Sequence, residues 1–140
     1  MSSRPWGHRS GPYEVVEMKM DSDTVAQIEP GDFVVAVTAG YVGQAAAGGT
    51  PLGVAVSVGL DPAADGQQSV LVSMDPDAVY EYPADTGTVT AGLVNTTMDI
   101  GGAQSIDIDA STDDIIQVVG VDIERNTLFV KLIPTFAGVA

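Results

Sequence analysis

Period-two alternation, broken at regular intervals by turn residues, constrains this chain most. "QSIDIDA" sets Ile106 and Ile108 against Asp107 and Asp109. "YEVVEMKM" gives Tyr13, Val15 and Val16, Met18 and Met20 with polar residues between. Successive side chains of a strand point to opposite faces, so such spacing suits a half-buried sheet. "QIEPGDFVVAV" adds a Pro30-Gly31 turn signal before a β-branched run. "AGYVGQAAAGGTPLGVAVSV" joins two apolar strands through an Ala/Gly loop, and "DPAADGQQ" is another turn. Residues 69–74 and "DAVYEY" continue the pattern, followed by "TVTAGLVN" and "TTMDIGG". "IIQVVGVDIE" and "TLFVKLIP" close the chain around Arg125-Asn126, which reads as a tight hairpin.

Strand candidates thus recur at roughly 8–12-residue spacing, the signature of an all-β sandwich or barrel. Helical periodicity is nearly absent; Ser111 to Asp114 could cap one turn. Sixteen Gly and eight Pro suit a turn-rich fold. No internal repeat and no linker divides the 140 residues, so residues 13–140 are expected to form one β domain.

Residues 1–12, "MSSRPWGHRSGP", read instead as an extended N-terminal arm, since two Pro, two Gly and three Ser leave little regular structure to build. Trp6 is the only tryptophan. It either folds back on its own domain or docks on a neighbouring chain, where Trp is enriched at contact hot spots. Arg4, His8 and Arg9 give the arm its polar and basic character. No apolar segment follows them, so the arm does not resemble a secretory signal. At the other end "IPTFAGVA" places Phe136 after Pro134 and beyond the last strand, as a second contact candidate.

The formal net charge is −14, and it is uneven. All nineteen carboxylates lie between Glu14 and Glu124, so the body carries −16 against three basic residues and the arm carries +2. Nucleic-acid binding depends on neutralising phosphates with Lys and Arg. An acidic body is therefore expected to repel nucleic acid and anionic membranes. No apolar run approaches the roughly 20 residues that span a bilayer.

Chemistry-bearing side chains are scarce. There is no Cys, which excludes disulfides, zinc thiolates and a thiol nucleophile. His8 is the only histidine, and between Gly7 and Arg9 it is poorly placed for a base that must be held within hydrogen-bond reach of its target. Asp107 and Asp109 share the solvent face of a strand in the ordinary alternation. In "DIDASTDD", Asp107, Asp109, Ser111 and Asp113 sit at alternate positions, as the first ligands of a calcium loop do. Such a loop also takes Gly at its sixth place and Glu at its twelfth, and those places hold Thr112 and Val118. "AGGT" and "IGGA" lack the Lys of a phosphate loop and read as turns. No catalytic residue, metal ligand or cofactor is expected.

Three stretches carry a family resemblance: "PGDFVVAVTAGYVGQAAAGGTPLGVAVSV", "VLVSMDPDAVYEYPADTGTVTAGLVNTTMDI" and "DDIIQVVGVDIERNTLFVKL". Together, over about residues 30–133, they resemble the capsid decoration, or cement, proteins of tailed bacteriophages. The similar features are the strand "GTPLGVAVSV", the "DPD" strand of residues 75–82, the "LV-N" segment and the final strand pair ending in residues 126–132. The resemblance implies a β-barrel or β-sandwich on the outside of the virion capsid, bound to the major capsid protein and often trimeric. It implies no catalytic residues. On that reading Arg4, Trp6, His8, Arg9 and Phe136 are the expected capsid or subunit contacts. The arm could equally grip the acidic body of an adjacent copy and favour a homotrimer. The alternative reading is a carbohydrate- or calcium-binding β-sandwich adhesion module, motivated by "DIDASTDD" and by Tyr80 and Tyr82.

Overall fold

The computed structural model describes residues 7–10, 15–21, 27–38, 40–60, 64–75, 77–109 and 115–133. Within them the chain is all-β. The strands are β1 (Gly7–Ser10), β2 (Val15–Lys19), β3 (Phe33–Thr38), β4 (Tyr41–Gln44), β5 (Gly53–Ala55) and β6 (Ser69–Ser73). They continue as β7 (Val79–Pro83), β8 (Thr97–Gly102), β9 (Ser105–Asp107), β10 (Ile116–Asp122) and β11 (Thr127–Leu132).

Six strands form one antiparallel sheet in the order β1-β7-β11-β10-β8-β9, and five form a second in the order β2-β6-β5-β3-β4. The two pack together as a β-sandwich. Both sheets curl. A parallel bridge between Met20 and Val42 draws β4 back to the end of β2, and another between Ala84 and Ile106 draws β9 back to the end of β7.

Curling explains why the start of "FVVAV", residues 33–35, is apolar at consecutive positions instead of alternating, while Ala36 and Val37 are exposed. Phe33 and Val54 face the six-stranded sheet and join a core with Tyr80, Tyr82, Ile100, Leu128 and Val130. Val34 and Ala55 face the opposite way, into the curl of their own sheet, with Met20, Ile28, Val42, Val70 and Val72. A strand buried on both faces reads as a continuous apolar run. Each large side chain removed from water in these clusters contributes about 1.5–3 kcal/mol.

The Pro30-Gly31 signal is a real turn: Asp32 N–H donates to the Glu29 carbonyl at 3.0 Å, with Gly31 at φ 96°. That is the positive φ a type II turn demands of its third residue. Three elements differ from expectation. "TVTAGLVN" holds the single-turn 3-10 helix Ala91–Leu93 in place of a strand. Asn95 at φ 71° ends that turn, since Asn tolerates the left-handed region. The Arg125-Asn126 hairpin joins β10 to β11 as expected, but with Asp122 opposite Thr127 its loop has four residues. Lastly, residues 7–10 of the expected arm are strand β1, an edge of the six-stranded sheet paired to β7.

Candidate interaction surface

The leader is fastened at Glu81, in the middle of β7. Glu81 is 1% exposed. Arg9 Nε lies 2.9 Å from its Oε1, Arg125 Nη1 lies 3.1 Å from its Oε2, and Thr127 Oγ1 donates to Oε2 at 2.7 Å. One carboxylate thus ties β1, the β10–β11 loop and β11 to β7. A buried carboxylate is tolerable only when paired and hydrogen-bonded in this way. His8, the next residue, meets the Tyr80 ring edge-on at a centroid distance of 6.0 Å. Arg9 and His8 are therefore partly buried against their own domain, Arg9 drawn in by an acid of the same chain. Arg4, Trp6 and Phe136 lie outside the described residues.

The other buried polar groups are tied in the same manner. Asp32, 2% exposed, accepts from the Glu29 N–H at 2.8 Å, Gln44 Nε2 at 2.8 Å and Gln104 Nε2 at 2.7 Å. Gln104 belongs to the six-stranded sheet's β8–β9 hairpin, so this carboxylate pins one layer to the other. Tyr80 and Ser73 hydroxyls meet at 2.9 Å across the same interface. Tyr82 donates to the Gly31 carbonyl at 2.5 Å and stacks on Phe33. Burial pushes the Tyr82 phenol well above its ordinary range, and the neighbouring Tyr80 and Asp32 add to the shift.

Tyr80 and Tyr82 are both fully buried. They cannot stack on a sugar, which removes the aromatic half of the carbohydrate reading. The alternation that puts Tyr80 and Tyr82 on one face of β7 aims them at the core. Asp107 spends one oxygen on the Asp109 N–H at 3.0 Å, closing a local turn. No group of three or more potential metal ligands occurs among the described residues; positions 110–114 of "DIDASTDD" lie outside them.

What the structure leaves open is apolar. Nine large hydrophobic residues are exposed among those described, and eight belong to the five-stranded half: Val15, Val16, Val37, Leu52, Val58, Leu60, Leu71 and Met74. The six-stranded half shows only Ile123, at the β10–β11 turn. Of the eight, Val15 on β2 and Leu71 on β6 lie diagonally opposite on one face of the sheet, and adjoining exposed apolar side chains are a candidate contact surface. The sequence carries a faint trace of it, since the adjacent Val15 and Val16 cannot both face inward.

Strand β2 also presents an open edge. Among the described strands it pairs with β6 alone, with Met18 opposite Val70 and Glu17 opposite Leu71. Met20 N–H donates to Gln68 O at 2.9 Å, which makes the even-numbered residues of β2 the hydrogen-bonded partners of β6. Backbone groups of the odd-numbered residues then point off the sheet. Asp21 uses its N–H to bond Val42 O at 2.9 Å, closing the curl at one end. Ahead of that bridge, Val15 and Glu17 meet no described strand. Here the sheet gapes into a groove of about 350 Å³, walled by Met18, Ala36, Tyr41 and Leu52, with Glu17 and Lys19 at its rim.

No family model, curated protein or solved structure matches this chain.

The exposed apolar side chains can be buried against a partner, and the open edge of β2 can add backbone hydrogen bonds.

Proposed function

We propose that this chain is a non-enzymatic virion structural protein that attaches to the outside of a phage capsid and stabilises the major capsid protein lattice. The observation that carries the reading is the segregation of exposed apolar side chains, eight of nine, onto the five-stranded half. A protein that adheres through one side needs that asymmetry, while its other side stays soluble. The net charge of −14 supplies the solubility. The likeness of residues 30–133 to decoration proteins supports the same conclusion. So does the tying of Glu81 and Asp32 into internal contacts, which takes two buried carboxylates out of any reactive role. Several copies, each contributing a modest interface, would reinforce one another on a repeating lattice.

Residues 1–6, which precede the Glu81-anchored strand β1 in sequence, carry Arg4 and Trp6 and so add a basic and an aromatic side chain as contact candidates. The test is co-sedimentation with heads assembled from the major capsid protein of the encoding phage. Saturable binding, weakened by Leu71→Glu and by deletion of residues 1–6, is the expected result. Free chain left wholly in the supernatant overturns the reading.

A further inference from the structure

We propose that the open edge of β2 takes up the carboxyl-terminal segment, residues 134–140, of a second copy of this chain as an added strand. The inference stands independently of the capsid reading. Backbone groups of Val15 and Glu17 point off the edge, because the even-numbered residues of β2 are spent on β6. A strand edge in this state is a template for another extended segment. The groove beside it, about 350 Å³ between Met18, Ala36, Tyr41 and Leu52, offers an apolar seat for one large side chain.

Residues 134–140, "PTFAGVA", fit that seat. They contain no charged side chain, so a chain of net charge −14 does not repel them as it would an acidic segment. Phe136 is their one large side chain, with Ala and Gly around it, and Pro134 stands before the pairing stretch, where its missing N–H costs nothing. Placement favours a neighbour's segment. Pairing over the open residues 15–17 uses about 10 Å of the roughly 24 Å that seven extended residues span, so a fold-back would have to cross between the layers and round to the outer edge of the second sheet with about 14 Å. The chain leaves the six-stranded sheet at Ile133, whose N–H bonds the Ile115 carbonyl at 3.1 Å, whereas β2 belongs to the other layer. A neighbouring molecule faces no such limit.

Two full-length variants test the exchange by sedimentation equilibrium. Glu17→Pro removes an N–H that faces the open edge and leaves the β6 ladder whole, so it blocks the acceptor. Phe136→Asp spoils the donor. Wild-type chain is expected to sediment as a multiple of 14.4 kDa. Each variant alone should associate at least about tenfold more weakly, and the two mixed should form a one-to-one complex. Only the first carries a working tail and only the second a working edge. Circular dichroism checks that both stay folded. If Glu17→Pro does not fold, Ala36→Trp fills the groove without touching any ladder and takes its place. A wild-type monomer at every concentration overturns the proposal, and so does an oligomer that survives both substitutions or a mixture that fails to pair.

Discussion

Replacing Glu81 by Gln keeps the side-chain shape and removes the charge that fastens β1. Three contacts change. The Arg125 pair involves a side chain 55% exposed, and pairs in that setting contribute about 0.3 kcal/mol. The Arg9 contact is stronger, since that side chain is 14% exposed and its Nε bonds a carboxylate at 2.9 Å; a charge-assisted bond of this kind contributes about 1.5 kcal/mol. Thr127 keeps a bond to a neutral oxygen only if the new amide NH2 faces Arg9, which sets donor against donor. The total loss is about 2 kcal/mol. Full breakage of a buried pair would cost more, but partial access of water to Arg9 lowers the figure. For a domain of this size the melting temperature should fall by about 6–8 °C. β1 is an edge strand held on one side by β7, so its amides should exchange faster than those of β10 and β11. An Arg9→Met, Glu81→Gln double-mutant cycle isolates the pair. A melting shift below about 2 °C, or unchanged exchange in β1, refutes the assignment of Glu81 as the anchor.

Three further outcomes follow from the packing. Tyr80→Phe leaves the buried Ser73 hydroxyl without its inter-sheet partner and should cost about 1–2 kcal/mol in urea unfolding. Gly53→Ala places a Cβ against the Ser73 carbonyl oxygen and 2.6 Å from a Val72 methyl; it should destabilise severely, by about 3 kcal/mol or more, whereas Gly59→Ala meets the flexible Met20 sulfur first and should cost less. Tyr82 holds its proton more tightly when folded than when unfolded, so its contribution is complete below the ordinary phenol range near pH 10 and is lost as pH rises beyond it. Tyr82→Phe should therefore flatten the alkaline limb of a stability-against-pH curve; an unchanged limb contradicts this.

The layered β architecture was legible because it rests on local signals. Pro30-Gly31 announces a turn that the backbone then needs, and the apolar run from Phe33 marks a strand whose first residues, Phe33 and Val34, are buried on opposite faces. The leader was not legible. "GHRS" has poor strand propensity, and it becomes a strand only because Glu81, more than seventy residues away, supplies a charge for Arg9. "TVTAGLVN" misled in the opposite direction. Its β-branched residues suit a strand, but Gly92 and Asn95 permit a turn, and the segment meets β10 only at its end, where the Asn95 N–H bonds the Val118 carbonyl at 2.8 Å. Tyr80 and Tyr82 read equally well as a binding pair or as core, and only long-range packing separates the two. The open edge of β2 could not be read at all, because the pairing of a strand depends on where the sheet ends.

Hydrogen exchange of the chain alone and bound to capsids tests the central idea most directly, that this protein works by adhesion through its five-stranded half. Slowed exchange on β2, β3 and β6 in the complex, with β8 and β9 unchanged, is the predicted pattern. Protection confined to the six-stranded sheet, or no capsid-bound fraction to measure, contradicts it.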